Sequence, residues 1–283
     1  MKDKLTIIIA HYLPKNVDYV NPLLKTLNSI ESQLASIVDL EIIIADDGSN
    51  YSKSIIENYS VKEEIKNDSR DFYILKNEKL NDFLEKNCIK SNCVNKWIYL
   101  PKLLKCMSKS RVLNQAIKIS NSDNLLFLDD DNYFISLNTI DNLSILFKQY
   151  DFIVGQIKDN NGRFRAYSSK RVQGTTFAIK KKILTAVNGF GEWTEDFSCG
   201  VDSDIWIKIY DYFNKNKQLK ACYTNQISTY DSHSKRWGKF TNFFKEWYLR
   251  KKFQSLYNCK NYKSARYNKS RNKSLWIKNL IDE

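Results

Sequence analysis

Short apolar runs alternate with longer amphipathic stretches along much of the chain. Residues 5–10 and 40–45 are Ile-rich and almost continuously apolar, which is typical of strands buried on both faces of a parallel sheet. Residues 19–34 instead carry apolar side chains at helical spacing. Further strands are predicted at residues 72–75, 124–128 and 152–155, and further helices at residues 52–59 and 103–119. This alternation predicts an α/β domain with a mostly parallel central sheet flanked by helices.

Two parts of the chain have a less regular pattern. Residues 77–101 give a weak signal, and we expect a loop-rich insertion there. In the second half, the pattern predicts strands at residues 175–179 and 221–223 and helices at residues 181–187 and 203–213. From residue 237 onward the sequence becomes basic, aromatic and largely helical in pattern.

Carboxylates cluster directly after two of the predicted strands. Asp46 and Asp47 precede a Gly-Ser turn, and residues 129–131 are three consecutive aspartates. Ligands of such sheets bind beyond the carboxyl ends of the strands. Adjacent like charges repel, and a bound Mg²⁺ or Mn²⁺ would relieve that repulsion while also binding substrate phosphates. Taken singly, each cluster is equally compatible with a solvated turn.

The order of these segments resembles the family 2 glycosyltransferases of the GT-A fold. The matching segments are residues 7–12 (IIIAHY), 46–49 (DDGS), 109–114 (KSRVLN) and 129–131 (DDD). The resemblance continues in residues 174–177 (GTTF), 187–192 (VNGFGE) and 200–206 (GVDSDIW), which look similar to the chondroitin-polymerase and galactosyltransferase branch. Gly191 stands where the family usually has Asp, and Val201 stands where it usually has Glu.

The resemblance implies a Rossmann-like GT-A fold and a nucleotide site built at its strand ends. Tyr12 would stack on the nucleotide base, and Asp47 would accept a hydrogen bond from a ring N–H. Asp129 would contact the ribose or base. Ala10 and Asp130 belong to the same expected nucleotide-binding set.

The resemblance also implies a divalent cation, Mn²⁺ or Mg²⁺, that bridges the phosphates of the donor. Asp131 would bind this metal, and His233 would complete its ligand shell, although an exposed loop position is the alternative for that histidine. Arg111 would approach the uridine or the diphosphate.

An inverting transfer needs a carboxylate within hydrogen-bond reach of the incoming hydroxyl. The resemblance implies that Asp202, at the start of a predicted helix, is this catalytic base. Asp202 could instead be a helix N-cap. Glu195 and Asp196 remain alternative candidates for the base.

These motifs together imply an inverting, metal-assisted hexosyltransferase. The donor would be a UDP-sugar carrying Gal, GalNAc, Glc or GlcNAc. The acceptor would be a glycan or glycolipid hydroxyl of a bacterial surface glycan, such as lipooligosaccharide or capsule. The departures at Gly191 and Val201 keep an alternative open, a GT-A-like module that binds nucleotide sugars without transferring them.

The chain has an excess of basic residues, 45 Lys and Arg against 32 Asp and Glu, and a formal charge of +13. Such a charge favours polyanionic partners. Many of these residues lie between residues 235 and 278, interleaved with Phe and Trp, as in a basic amphipathic helix on an anionic membrane. A packed terminal helix is the alternative. Binding to nucleic acid is not expected, because no nucleic-acid motif accompanies the charge.

We predict a GT-A domain over residues 1–234 with a basic, largely helical extension over residues 235–283. The domain would divide into a nucleotide-sugar-binding half, residues 1–132, and an acceptor half, residues 133–234. The apolar run at residues 5–10 is too short for a signal peptide. We therefore expect a cytoplasmic protein, with peripheral attachment to the inner face of the cytoplasmic membrane as a further possibility. The cysteines are expected to be reduced, with Cys88 and Cys93 the pair to examine for a disulfide.

Overall fold

A computed structural model describes most of the chain. It covers residues 2–14, 21–33, 38–59, 71–102, 106–166, 172–232, 243–260 and 276–281, together with the backbone of residues 62–63. These residues form one mixed sheet with helices on both faces.

The strands follow the order β11-β10-β8-β9-β6-β1-β2-β5-β4-β3, and β7 pairs with β10. Their bounds are β1 Asp3–His11, β2 Val38–Asp46, β3 Lys62–Glu63, β4 Phe72–Lys76, β5 Lys96–Tyr99, β6 Asn124–Asp129, β7 Asn132–Phe134, β8 Phe152–Lys158, β9 Phe177–Lys180, β10 Ala221–Asp231 and β11 Ile277–Asn279. The central strands β6, β1, β2 and β5 are parallel, whereas β9 and β4 run antiparallel to their neighbours. The predicted α/β class with a parallel centre is confirmed.

The described helices lie between the strands in sequence. They are α1 Pro22–Glu31, α2 Ser54–Tyr59, α3 Asn77–Lys86, α4 Lys109–Ile119, α5 Thr139–Phe147, α6 Lys181–Ala186, α7 Val201–Lys215 and α8 Phe243–Tyr257, with 3₁₀ turns at Tyr51–Lys53 and Glu192–Phe197. In the described part of the chain, none of the helices combines the length and the apolar character needed to cross a bilayer.

The sheet separates two hydrophobic cores. Ile7 and Ile9 of β1 face one core, which contains α1, α2, α3 and α5, while Ile8 faces the other, which contains α4, α6, α7 and part of α8. Successive side chains of a strand point to opposite faces, so a strand covered on both sides needs apolar residues at consecutive positions. This explains the isoleucine runs in β1 and β2.

The expectation of a loop-rich insertion at residues 77–101 is wrong. This segment contains helix α3 and strand β5, which pairs in parallel with β2. Leu80, Phe83 and Leu84 form the buried face of α3, at the i, i+3, i+4 spacing of an amphipathic helix. Strand β5 has only four residues, so it is too short to be recognised from the periodicity of its apolar residues.

Helix α1 is shorter than the 19–34 pattern predicts. Pro22 occupies the first turn, where its missing N–H costs nothing, and the Asn21 side chain accepts a hydrogen bond from Leu23 N. Residues 15–20 and 34–37 lie outside the described residues. Helix α4 likewise begins at Lys109, and residues 103–105 of its predicted range are outside the described part.

The described part of the basic C-terminal stretch packs on the same cores as the rest of the fold. In α8, Phe253 is buried and Leu249 packs beside it. Strand β11 pairs in parallel with β10, and Trp276 just before it stacks on Phe152. The boundary expected after residue 234 therefore does not separate two cores among these residues.

All six cysteines lie within the described residues and are free thiols. Cys88 and Cys93 do not form a disulfide, in agreement with the expectation of reduced thiols. Burial raises the pKa of the Cys93 thiol to about 12, so it stays protonated near neutral pH.

Candidate active site at the strand ends

The register of the central strands brings distant segments together at one edge of the sheet. His11 pairs with Asp46 across β1 and β2, and Ala10 pairs with Asp129 across β1 and β6. The backbone continues this alignment beyond the strands, since Asp47 N donates to His11 O over 2.9 Å and Asp130 N donates to Ala10 O over 3.0 Å. The acidic segments after β2 and β6 consequently flank the end of β1.

A cleft of about 250 Å³ opens at this edge. Six of the residues expected to bind nucleotide or metal line it, together with five others, among them His11, which follows the first strand and was expected to line this crevice. The lining residues are Ala10, His11, Tyr12, Ala45, Asp47, Met107, Lys109, Val112, Asp129, Asp130 and Asp131. Arg111 and Asp202 are not in the lining, and His233 lies outside the described residues.

Asp47 is a buried carboxylate with one oxygen satisfied and one unsatisfied. Its Oδ2 accepts hydrogen bonds from Ser108 N over 2.9 Å and from Lys102 Nζ over 3.2 Å. Its Oδ1 is buried and has no hydrogen-bond partner among the residues that the structure describes. Burial raises the pKa of Asp47 to about 7, even though Lys102 opposes the shift. An orphaned acceptor of this kind is costly unless a ligand supplies the donor.

The neighbouring Asp46 has a structural role instead. Its Oδ1 accepts from Ser49 N over 2.7 Å, and its Oδ2 accepts from Trp97 Nε1 over 3.2 Å. These bonds shape the turn after β2 and fix it to β5. Gly48 in this turn has φ +85°, and a Cβ there would come within 2.7 Å of Lys102 Cβ, so only glycine fits.

Tyr12 forms one wall of the cleft and is half-buried. Lys102 Nζ lies 3.9 Å from the centroid of the Tyr12 ring, a cation–π contact. Lys102 therefore contacts both Tyr12 and Asp47, the two residues expected to bind the nucleotide base. These contacts fix the positions of the two side chains relative to each other. Burial and the nearby Asp47 and Asp46 charges raise the pKa of Tyr12.

Asp130 points into a buried hydrogen-bonded chain next to the cleft. Its Oδ2 lies 2.5 Å from His11 Nδ1, and His11 Nε2 lies 2.7 Å from the Tyr51 hydroxyl. Burial raises the pKa of Tyr51 well above its usual value, so Tyr51 remains a donor. His11 Nε2 then accepts from Tyr51, and the Nδ1–H donates to Asp130. The Asp130 carboxylate is thus engaged by His11, while its neighbours Asp129 and Asp131 flank it in the lining.

Asp129 is paired with a lysine from the opposite side of the cleft. Lys109 Nζ, at the first residue of α4, lies 2.6 Å from Asp129 Oδ1. Burial lowers the pKa of Lys109, but the Asp129 and Asp202 charges outweigh it and raise the pKa. Burial also raises the pKa of Asp129 to about 6, with Lys109 opposing. Lys109 is accordingly a charged ammonium among carboxylates.

Asp131 follows in the same turn. Its Oδ1 accepts from Asn132 Nδ2 over 2.9 Å, and its carbonyl oxygen accepts from Ser232 N over 3.1 Å. Ser232 immediately precedes His233 in sequence.

The described carboxylates fit a cation that is shared with a substrate, not a closed protein site. Across the described ranges, no group of three or more His, Cys, Asp or Glu side chains is arranged to hold a metal ion. Mg²⁺ and its relatives are commonly held by one or two carboxylates together with substrate phosphates. Asp129 and Asp131 offer such carboxylates at the mouth of the cleft.

Asp202 approaches this group from α7. A Cβ on Gly174 would lie 2.4 Å from Asp202 Oδ2, so the carboxylate rests against the Gly174 backbone where a side chain would otherwise stand. The Asp202 charge acts on both Lys109 and Asp129. The N-cap of α7 is Gly200, with φ +92° and no side-chain cap. The reading of Asp202 as an N-cap is therefore wrong.

Both carboxylate oxygens of Glu195 already accept hydrogen bonds from other side chains. Its Oε1 accepts from Ser108 Oγ over 2.6 Å, and its Oε2 accepts from Arg111 Nε over 2.5 Å. Arg111 also donates to Glu192 over 2.9 Å. These bonds tie the 3₁₀ turn Glu192–Phe197 to α4 and direct Arg111 toward that turn. Asp196 is exposed.

The two departures from the family pattern have packing explanations. A Cβ on Gly191 would lie 2.5 Å from both Asp204 Oδ1 and Trp193 Nε1. Asp204 is fully buried and accepts from Gly191 N over 2.6 Å, so the carboxylate fills the space that a residue 191 side chain would need. Val201, the first residue of α7, is buried in the hydrophobic core.

Two charged residues that contact the cleft residues had no role assigned from the sequence. Lys109, in the lining, belongs to the matched segment 109–114, but the resemblance drew attention to Arg111 instead. Lys102, which contacts Asp47 and Tyr12, lies just after the weakly patterned region 77–101. The signal that could have found Lys109 is helical geometry, since residues two apart face different directions on a helix and only one of them can face the cleft.

Comparisons with known proteins identify the fold. Neither the protein-family models nor the sequences of curated proteins match the chain. A crystal structure of S. aureus TarS 1-349 in complex with UDP-GlcNAc aligns with TM-score 0.52 and 15% identity, over 96% of this chain and 74% of that chain. The mannosyltransferase PcManGT from Pyrobaculum calidifontis, in complex with GDP-Man and Mn²⁺, aligns with TM-score 0.51 and 13% identity, over 97% and 66% of the two chains.

These alignments show the fold: the chain has the GT-A-like α/β fold of these two solved structures. A longer structure of S. aureus TarS aligns with TM-score 0.47 and 16% identity over 83% of this chain, which spans 36% of that one. At such identities the likeness concerns the fold. The similarity to the chondroitin-polymerase branch stays a prediction.

Proposed function

We propose that this chain is an inverting glycosyltransferase that moves a hexose from a UDP-sugar to a hydroxyl of a bacterial surface glycan. The observation that carries the proposal is the convergence of Asp47, Asp129, Asp131 and Lys109 on one cleft at the carboxyl ends of β1, β2 and β6. Asp202 lies within electrostatic reach of the same cluster. Two proteins that share this fold are solved with UDP-GlcNAc and with GDP-Man.

The inner part of the cleft has the features of a base-binding site. The unsatisfied Asp47 Oδ1 can accept the ring N–H of uracil, and the Tyr12 ring offers a surface for stacking. The Lys102 ammonium keeps both side chains in place. A carboxylate acceptor favours bases that present an N–H at this edge, and it disfavours bases that present a lone pair there.

The outer part of the cleft has the charges that a diphosphate needs. Asp131, expected from the sequence to bind the metal, would hold Mn²⁺ or Mg²⁺ together with the donor phosphates, and we propose that Asp129, expected from the sequence to contact the ribose or base, shares this role. When bound, such a cation supplies Lewis-acid stabilisation of the departing diphosphate. Lys109 adds a further positive charge at the same place.

Transfer then requires a base for the acceptor hydroxyl, and we assign this role to Asp202. The Asp202 carboxylate takes the hydroxyl proton while the acceptor oxygen forms its bond to the anomeric carbon. The bond from that carbon to the UDP oxygen breaks with its electron pair, and the configuration inverts. Glu195 is less suited to the role, because Ser108 and Arg111 already occupy its oxygens.

Turnover of UDP-sugars with Mn²⁺ tests the proposal. A panel of UDP-Gal, UDP-GalNAc, UDP-Glc and UDP-GlcNAc is offered with glycan and glycolipid acceptors, including lipooligosaccharide and capsule fragments. We expect transfer from at least one donor, and a loss of about 10²–10⁴-fold in Asp202→Asn with UDP binding retained. Asp196→Asn is expected to keep its activity.

Two results would contradict this assignment. UDP binding without transfer or hydrolysis of any donor would favour the non-catalytic nucleotide-sugar module. If Asp196→Asn lost activity while Asp202→Asn remained active, the catalytic base would be Asp196, in the 3₁₀ turn.

The exposed face of α8 supports a second part of the proposal, peripheral attachment to an anionic membrane. Phe244, Trp247 and Tyr248 are exposed there, at the i, i+3, i+4 spacing of one helix face. Lys251 Nζ lies 3.6 Å from the Trp247 ring centroid. Exposed aromatic side chains on a helix that also carries lysines suit the boundary between anionic headgroups and acyl chains.

Vesicle sedimentation tests this attachment. Trp247→Ser is expected to weaken binding to phosphatidylglycerol vesicles several-fold. Leu137→Ser removes an apolar side chain outside α8 that is somewhat more exposed, 55% against 43%, and should not weaken binding. Equal binding of the wild type and both variants would exclude α8 as the membrane contact.

A further inference from the structure

The Lys109 ammonium lies within the acidic cluster and offsets part of its negative charge. A metal ion bound at the same place would offset that charge too. Its Nζ lies 2.6 Å from Asp129 Oδ1, and the charges of Asp202 and Asp131 also act on it. Its side chain is 19% exposed, so water screens these interactions only in part. Asp129 thus already has a cation within contact distance in the free protein.

The attachment of Lys109 allows the ammonium to move without a change in the fold. Lys109 is the first residue of α4, and its backbone is set by the helix. Its side chain is a flexible four-carbon stem that can rotate. Tyr12 and Asp47, which we propose bind the nucleotide base, line the same cleft.

A divalent cation and the Lys109 ammonium compete for the same carboxylate oxygens. A carboxylate that is already paired binds a metal ion less tightly, because the ammonium must leave or repel the incoming charge. Once a diphosphate is present, its oxygens provide a second anionic partner for the ammonium. The two cations can then be accommodated together.

We infer that Lys109 is a tethered cation that holds the place of the metal at Asp129 in the free protein and contacts the donor diphosphate in the complex. This inference rests on the proposed function. It assigns Lys109 two opposite effects, because the residue hinders metal binding before the nucleotide arrives and assists nucleotide binding afterwards.

The test measures binding directly. Mn²⁺ binding without nucleotide is followed by electron paramagnetic resonance, and UDP binding at saturating Mn²⁺ is followed by calorimetry, for the wild type and Lys109→Met. We expect Lys109→Met to bind Mn²⁺ alone about tenfold more tightly and UDP about tenfold more weakly. Lys109→Arg, which keeps the charge, should stay near the wild type in the Mn²⁺ measurement.

Lys208→Met is the matched control. Lys208 Nζ lies 2.9 Å from Asp204 Oδ2, and its side chain is 17% exposed, so this lysine resembles Lys109 in having an aspartate partner and in its exposure. Lys208 is not in the lining of the cleft. Its removal should leave both affinities unchanged. Circular dichroism checks that each variant is folded, and Lys109→Gln replaces Lys109→Met if the latter is not.

The outcomes separate this inference from the proposed function. Unchanged Mn²⁺ affinity in Lys109→Met, or equal shifts in Lys109→Met and Lys208→Met, overturns the role of Lys109 as a competing cation. Tighter Mn²⁺ binding with unchanged UDP affinity overturns its contact with the diphosphate. Failure of the wild type to bind UDP with Mn²⁺ would instead contradict the proposed function.

Discussion

Asp47 is the residue whose chemistry depends most clearly on pH. Burial raises its pKa to about 7, so it changes from protonated to ionised across the neutral range. An ionised acceptor makes a stronger hydrogen bond to a ring N–H than a protonated one does. We therefore expect uridine affinity to increase several-fold from pH 6 to pH 8, as measured by saturation-transfer NMR. Uridine is the suitable probe because it has no phosphate to titrate.

Asp47→Asn provides the control for this dependence. The amide does not titrate, so the variant should bind uridine more weakly at pH 8 and show a flat profile. The same pH dependence in wild type and variant would show that another group is responsible.

Gly191 gives a prediction about stability. Gly191→Asp restores the residue that is usual in the resembled family, but its side chain would meet the Asp204 carboxylate and the Trp193 indole. Asp204 cannot move aside, because Gly191 N, Trp193 Nε1, Lys208 Nζ and the Tyr257 hydroxyl all hold it. We expect a loss of about 3 kcal/mol or more in the free energy of unfolding, measured in urea.

Gly162→Asp is the matched comparison for that measurement. Gly162 has a positive φ of +81°, whereas Gly191 has φ −71°, and no atom of the described residues lies within 4 Å of a Cβ at Gly162. Asp tolerates the left-handed region, and its cost should stay near ~1 kcal/mol. Equal costs at the two positions would show that the contact with Asp204 does not set the cost of a side chain at residue 191.

The candidate site was predictable from sequence only where its residues follow strong patterns. The acidic clusters at the ends of β2 and β6 could be predicted from the sequence. A continuous apolar run that leads directly into several carboxylates is easily distinguished from an ordinary turn. The partners of those carboxylates could not. The contacts of Lys102 with Asp47, and of Lys109 with Asp129, depend on which way a loop and a helix present their side chains.

At the scale of elements, α8 belongs to the fold through one buried face. Phe253 is 2% exposed and meets Trp193 edge-on with 5.0 Å between ring centroids. We expect Phe253→Ala to lower the free energy of unfolding by about 3–5 kcal/mol in urea denaturation. Phe244 of the same helix is 69% exposed, so Phe244→Ala should change it little.

That comparison also tests whether α8 unfolds with the rest of the fold. A Phe253→Ala variant as stable as the wild type would mean that α8 is not docked on Trp193 in solution. Two separate unfolding transitions in the wild type would lead to the same conclusion.

The elements differ in how far their sequences reveal them. The Ile-rich strands β1 and β2 were predictable because burial on both faces leaves few alternatives to a parallel strand. Helix α3 was missed although Leu80, Phe83 and Leu84 have helical spacing, since charged and polar residues dilute the pattern around them. Strand β11 was not predictable either, because three residues acquire their structure only by pairing with β10.

At the scale of the whole molecule, the cleft joins segments that are more than a hundred residues apart. Strand register places residue 10 beside residue 129, and α4 and α7 then supply Lys109 and Asp202. Neither half of the sequence contains the complete set of charges. The acidic cluster lies in a chain with a formal charge of +13, an excess that favours anionic partners in general.

This charge predicts how membrane attachment responds to salt. The Debye length falls from about 10 Å at 0.1 M salt to about 3 Å at 1 M, so attraction between the basic residues and anionic lipid is screened over this range. We expect binding to phosphatidylglycerol vesicles to weaken at least about tenfold between these concentrations, in sedimentation assays. Phosphatidylcholine vesicles should bind weakly at both. Binding that persists at 1 M salt would mean that insertion of the α8 aromatic side chains, and not charge, dominates the attachment.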